Sequence, residues 1–273
     1  AKKTEVNPLA TSLLIFPNQL FAKHPGLRSD PDRVYLVEDS LFFGDDRYPA
    51  QFHKQKLWLH RASMKRYANS IEERGFDVQY IDYRSGERLI RSLKKIRSKD
   101  KLLVCDPCDF ILTKRLNQLA EEKSTTVEVL PNPGFLNSRE QNEEYRGGKK
   151  RWFMADYYKW QRTRLDVLMD GKEPQGGKWS FDEDNRKKVP KQLLDQLPTI
   201  PRVKHDAIDL EARDYIRKKF DANPGSLETL YYPTSHSASA NWLKAFLTKR
   251  FENFGVYEDA IVAGQSWLWH SVL

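Results

Sequence analysis

An α/β fold built on a five-stranded parallel sheet, followed by a connector and an incomplete all-helical region, is what this 273-residue sequence predicts. Three observations carry that expectation. Short apolar runs alternate with longer stretches of helical periodicity up to Leu130, the periodicity changes after that residue, and the chain from Asp206 onward has helical spacing.

The runs Ser12–Phe16, Arg33–Val37, Asp77–Ile81, Lys101–Val104 and Thr126–Leu130 are strand-sized and rich in β-branched or aromatic residues. Between the second and third, Leu57, Met64, Tyr67, Ala68 and Ile71 recur at helical spacing over Gln55–Arg74, and Gly75 is placed to stop that helix. Arg88–Ile96 and Phe110–Lys123 repeat the pattern. Such βαβ units close into a buried parallel sheet with right-handed crossovers, a Rossmann-like arrangement that binds ligands beyond the carboxyl ends of its strands. Those ends are Pro17-Asn18-Gln19, Glu38-Asp39, Cys105-Asp106 and Pro131-Asn132-Pro133. No strand is followed by Gly-x-Gly-x-x-Gly or Gly-x-x-x-x-Gly-Lys, which removes the main support for a dinucleotide or P-loop site. Beyond Leu130, residues 131–150 have the composition of a crossing linker. Arg151–Met169 has the pattern of a basic aromatic helix stopped by Asp170-Gly171, and a loop rich in Pro, Gly and charge runs to Arg202. Helices are expected over Asp206–Phe220, Ser237–Phe251 and Tyr257–Leu273.

Composition narrows the function. With 39% hydrophobic and 31% charged residues and no apolar run near the roughly 20 residues of a bilayer span, the chain has the makings of a core and none of a membrane helix. The basic-then-apolar plan of a secretory leader is absent at Ala1–Glu5, and two cysteines make no disulfide framework, so a cytoplasmic location is expected. The formal charge of +8 points to a polyanionic partner; residues 149–204 carry fourteen Lys/Arg against eight Asp/Glu, most of that excess.

Several constellations stand out. Cys105-Asp106-Pro107-Cys108 lacks the second ligand pair of a structural zinc, and Asp106 and Asp109 oppose a thiolate, so two ordinary cysteines and no metal site are expected. His53, Lys54, Lys56 and His60 open the second crossover, at the helix end where the dipole disfavours cations. Glu38 beside Phe42 and Phe43 suits a flat heteroaromatic ligand, and equally suits packing with a surface salt bridge. Arg151–Arg164 interleaves cations with aromatics, as a nucleic-acid face does and as an amphipathic helix packed on a neighbour also does. The loop Gly176–Lys187 keeps Trp179 and Phe181, rings that seek burial. His205, His236 and His270 lie in different segments, and no serine sits in a nucleophile elbow, so hydrolase chemistry has no support.

Pro17-Asn18-Gln19-Leu20, Val37-Glu38-Asp39, Phe52–Lys56, Met169-Asp170-Gly171, Gly176–Lys187, Phe254–Ala260 and Trp269–Leu273, in this order, resemble the deoxyribodipyrimidine photolyase-related family, the iron–sulfur bacterial cryptochromes and (6-4) photolyases. The resemblance implies a light-driven flavoprotein. Its N-terminal α/β domain would hold an antenna chromophore, a 6,7-dimethyl-8-ribityllumazine, which passes energy to FAD in a helical domain for repair of pyrimidine lesions in DNA. By position, the antenna would draw on Asn18, Gln19, Glu38, Phe42, Phe43 and His53. Opening residues of a flavin site would be Tyr232, Thr234, Ser235 and His270, and Lys150, Arg151, Arg162, Arg164 and Arg186 would face DNA. Family members continue into helices that complete the FAD cradle and carry four cysteines for a [4Fe–4S] cluster. The expected plan is therefore an antenna domain over 1–133, a connector over 134–204 and the start of a FAD-binding domain over 205–273, with FAD held only where that domain is complete, no [4Fe–4S] ligands, and no activity for the chain alone. The alternative is a non-catalytic DNA-binding or blue-light-signalling module.

Overall fold

The computed structural model describes residues 9–270. Five strands, β1 (Thr11–Ile15), β2 (Arg33–Val37), β3 (Val78–Ile81), β4 (Lys101–Cys105) and β5 (Thr126–Leu130), form one all-parallel sheet in the order β3-β2-β1-β4-β5. The α/β expectation is met, each strand within about a residue of the run that announced it. Side chains alternate cleanly between two cores, as the period of two in a strand requires. Leu13, Ile15, Val34, Leu36 and Leu103 enter one; Leu14, Phe16, Tyr35, Val37, Leu102 and Val104 enter the other.

The first core is closed by α2 (Lys54–Glu72), whose Leu57, Met64, Tyr67, Ala68 and Ile71 form the buried stripe. Over α2 lies α8 (Ala207–Lys219), which adds Ala212 and Ile216, followed by Phe220 and Leu230. Its start was legible, because Asp206 and Asp209 form a reciprocal capping box. The second core is closed by α3 (Leu89–Ser92) and α4 (Phe110–Lys123), with α4 capped by Asp109. A short α1 (Ser40–Phe43), capped by Asp39, follows β2 directly. These elements make one compact unit, which runs to Phe135 and takes in Arg202–Ser239.

A second unit comprises Leu136–Pro201 and the chain from Ala240 onward. Four expectations are corrected in and around it. The stretch 131–150 contains α5 (Arg139–Arg146), because Ser138 and Gln141 make a capping box and Gly147 ends the helix at φ +43°. The basic helix is shorter than Arg151–Met169: α6 (Met154–Leu165) stops where Asp166 turns left-handed, and Met169–Asp170 (β6) pairs with Glu173–Pro174 (β7) around Gly171. After α7 (Lys191–Leu194), the helix expected at Ser237–Phe251 is α9 (His236–Lys249), then a separate turn, α10 (Phe251–Phe254). Over 257–270 there are turns and an isolated Val262–Gln265 bridge where a helix was expected; Leu268, Trp269 and Tyr257 are buried among loops, and residues 271–273 lie outside the described residues. In the first unit, Leu89, Leu93 and Ile96 keep the spacing that suggested a helix over 88–96. They reach the core through turns after Leu93 leaves helical geometry at ψ +55°.

Candidate functional site

In an open parallel sheet a ligand is expected at the carboxyl ends where the strand order reverses, here between β1 and β4. Gln19 fills that point. Its fully buried amide accepts the Phe16 N–H at 3.3 Å and donates to the Cys105 carbonyl at 2.8 Å, joining the two strand ends. Asn18 beside it is exposed. Across the gap, Cys105 is buried 3.7 Å from Nε2 of His24; burial, with Asp106 adding to it, pushes its thiol up to about 12. A thiol so far from ionising is no nucleophile at neutral pH.

Glu38, at the end of β2, is also committed inside the fold. Its carboxylate accepts from Nη1 of Arg61 at 2.7 Å, from the Tyr80 hydroxyl at 2.6 Å and from the Tyr83 N–H at 2.8 Å. Burial still raises its pKa, against the pull of Arg61 and the two hydrogen bonds. Arg61 itself is 4% exposed, lies 3.6 Å over the Tyr215 ring, and reaches Asp82 and Glu211 at 2.8 Å each. One guanidinium thus ties β2, the end of β3 and α8 together. Sequence reasoning missed Arg61, although a visible signal existed: it lies four residues after Leu57 and three before Met64, on the apolar stripe of α2.

The two phenylalanines are brought together with His60. Its ring lies 5.9 Å from Phe42 and 6.1 Å from Phe43, and Phe42 stacks on Phe16 at 6.3 Å. Burial, with Lys56 nearby, lowers His60 to about 4, and its Nε2 has no hydrogen-bond partner among the described residues. Phe43 is fully buried against Tyr83 and Phe220. His53 caps α2, its Nδ1 accepting the Gln55 N–H, and its imidazole presses so closely on Gly225 that a Cβ there would stand 2.1 Å from Nε2.

A cavity lies on the α3/α4 face of the sheet. It holds about 430 Å³ between Ser40–Tyr48, the start of α3 and the outer face of α4. Its apolar wall is Leu89, Ile90, Ile111 and Leu119; Tyr48, Arg47, Lys114 and Gln118 give it polar groups. A smaller recess lined by Glu38 and Asp39 shares Ser40, Glu87 and Leu89 with it. Arg115 fixes one wall by pairing with Asp39 at 2.6 Å and with Asp45. Burial opposes ionisation of Asp45, but the Ser40 hydroxyl and Arg115 outweigh it and lower its pKa; Asp39, buried more deeply, is raised. Arg47 and Lys114 make no ion pair among the described residues, and they line the cavity together with the carboxylates of Asp46 and Glu87. No sequence motif marks them, because the cavity draws on three separate loops and helices.

The residues expected at a flavin have other partners. The Thr234 hydroxyl donates to Asp209 at 2.7 Å and accepts from Arg66 at 3.2 Å, and the Ser235 hydroxyl accepts the Ala238 N–H; Tyr232 is exposed. In the second unit, Nε2 of His270 lies 3.0 Å from the Ala260 carbonyl. Of the basic residues there, Lys150 and Arg151 are exposed beside exposed Trp152 and Phe153. Arg162 is buried, donates to the Val167, Leu168 and Trp179 carbonyls and lies 5.2 Å from the Trp179 ring, so its charge holds the 166–180 loop. Arg164 donates to Asn137 and Gln161, and Arg186 pairs with Asp259 at 3.3 Å.

An uncharacterised protein of Acanthamoeba polyphaga mimivirus is 35% identical over 189 residues, covering 66% of this chain and 96% of the viral protein. The (6-4) photolyase of Agrobacterium fabrum is 25% identical over 227 residues, 81% of this chain and 44% of that protein, so the chain spans less than half of its length. The family model described as deoxyribodipyrimidine photo-lyase-related protein matches residues 13–232, from β1 through α8. The chain belongs to the deoxyribodipyrimidine photo-lyase-related protein family.

Proposed function

We propose that the α/β unit is an antenna-chromophore module of a photolyase-type flavoprotein and that the cavity between α1, α3 and α4 takes a ribityllumazine. The observation that supports this most is the cavity itself, which has apolar residues for a flat ring and polar ones for a polyol. Leu89, Ile90, Ile111 and Leu119 would pack on the ring system, while Arg47, Lys114 and Gln118 would donate to the ribityl hydroxyls and ring carbonyls. Arg115, locked by Asp39 and Asp45, would hold the wall rigid. The bound chromophore would supply absorption of near-ultraviolet light and transfer of the excitation to a flavin. No side chain of this unit is asked to move a proton; binding, orientation and exclusion of water are its tasks.

Titration of the chain with 6,7-dimethyl-8-ribityllumazine is expected to give saturable one-to-one binding with a shifted near-ultraviolet band. Ile111→Arg, which fills the cavity from a half-buried position, is expected to weaken binding by about tenfold or more, as for loss of a good apolar contact surface. No saturable signal from lumazine or a deazaflavin, or binding untouched by Ile111→Arg in a folded variant, would sink the assignment.

A second reading, binding to DNA through the second unit, is favoured by the exposed group Lys150, Arg151, Trp152 and Phe153, since cations and rings interleaved in this way contact phosphates and stack on bases. On duplex DNA, log K is expected to fall with log salt by about 0.9 per phosphate contact, and Lys150→Glu with Arg151→Glu is expected to lower that slope by about two contacts. A slope that is absent, or unchanged by the double variant, removes this reading.

A further inference from the structure

On the α2 side of the sheet, the connection from β1 to β2 and the end of α2 border an open hollow of about 260 Å³, lined by Ala22, Lys23, His24, Leu27, Arg28 and Arg74. Three of the six are cations, and none is a carboxylate. Lys23, Arg28 and Arg74 make no ion pair among the described residues; the Arg74 guanidinium lies 5.5 Å from the Phe76 ring. Three like charges around one hollow repel each other, and a bound anion would relieve this. The end of α2 offsets only about half a charge of the three.

One wall of the hollow is anchored to the fold. His24 is buried, and its Nδ1 accepts the Gly26 N–H at 3.1 Å, which leaves the ring proton on Nε2, facing Cys105. Burial lowers its pKa to about 4, so at neutral pH it contributes a flat uncharged wall. Gly26 lies so close to β1 that a Cβ would stand 2.3 Å from Cδ1 of Leu13, which pins the 24–28 turn to the sheet. Leu27 adds apolar surface. Cations on the rim of a fixed wall of ring and aliphatic groups match a phosphate ester, with the guanidinium forks of Arg28 and Arg74 meeting phosphate oxygens in pairs.

We propose that this hollow is a binding site for a small phosphorylated molecule, held by Lys23, Arg28 and Arg74. It shares no residue with the α3/α4 cavity and stands or falls without the antenna reading. The test is calorimetric titration of the full chain with inorganic pyrophosphate, and separately with adenosine monophosphate, at low ionic strength. At least one of the two is expected to bind saturably with a stoichiometry of one. Arg28→Gln with Arg74→Gln, both exposed positions, is expected to weaken binding by at least about tenfold, with thermal melting and lumazine binding unchanged. The proposal is overturned by absence of saturable binding for both probes, by equal binding in the double variant, or by a dependence on these residues seen with duplex DNA alone. If the double variant melts early, Lys23→Gln alone is read in its place; unchanged affinity there also overturns it.

Discussion

Replacing Arg61 by Met is expected to destabilise the protein by about 3–5 kcal/mol, the range for removing one partner of a buried ion pair. The size follows from what is left behind. Glu38 would keep the Tyr80 hydroxyl and the Tyr83 N–H but lose the one cation that pairs with it among the described residues, at a fully buried side chain. Asp82 and Glu211 are about half exposed and would be resolvated at little cost. The expected remedy is therefore specific: adding Glu38→Gln to Arg61→Met recovers part of the loss, a coupling of about 1–3 kcal/mol in a double-mutant cycle measured by urea unfolding. Additive single-mutant losses would show that the pair does not act as one unit.

The same pair sets a pH dependence whose sign can be worked out. Burial raises Glu38 above its unfolded value, so the folded state holds a proton more readily than the unfolded chain, and its contribution falls as pH rises through the folded pKa. Without Arg61 this rise grows, so Arg61→Met gains stability on acidification from neutral pH towards the carboxylate range. The wild type moves the other way at Asp82, where burial opposes ionisation but Arg61 and Lys65 outweigh it and lower the pKa; that contribution is lost as pH falls through the folded pKa. Both effects narrow the gap between variant and wild type in acid. A gap that widens below pH 5 would contradict the assignment of the buried charge to Glu38.

How much of this was legible in the sequence depends on the range of the interaction. The strands were legible because β1, β2 and β4 are buried on both faces and so leave continuous apolar runs. The helix α2 announced itself by a stripe and a glycine stop, and α8 by an aspartate cap, both local signals. The turns of 257–270 were not legible, since Tyr257, Leu268 and Trp269 are buried among loops and bury at a spacing that a helix also satisfies. The candidate cavity draws on residues other than those the strand ends pointed to. Strand ends drew attention to Gln19, Glu38, Phe42 and Phe43, yet Gln19 and Glu38 spend their polar groups on Cys105 and Arg61, partners 86 and 23 positions away. A cation in a basic run looks like a surface cation; that Arg162 is folded under Trp179 depends on a loop closing over it.

Trp58→Ala is expected to have a comparable effect, about 3–5 kcal/mol, as for truncating a buried aromatic residue. Trp58 is 1% exposed on α2, and its Nε1–H donates to the Asp209 carbonyl at 2.8 Å, so it serves as both core and hydrogen-bonded contact for α8. Around it Arg66 holds the carboxylates of Asp206 and Asp209, and Thr234 closes on Asp209, so the first turn of α8 is fixed by groups from α2 and from the chain beyond α8. Trp58→Phe keeps most of the ring and removes only the hydrogen bond to a carbonyl that lies within the ladder of α8, for an expected loss of about 0.5–1.5 kcal/mol. The two variants separate packing from hydrogen bonding. Because Ala212 and Ile216 of α8 belong to the same core as α2 and the sheet, the segment is expected to unfold together with the strands, with a lower urea midpoint and an unchanged m-value. Tryptic cleavage at Arg202 or Lys204 should then keep pace with loss of the core signal. A reduced m-value, or cleavage that runs ahead of that signal, would show that 202–239 is held on α2 as a separable layer and that Trp58 secures only that layer.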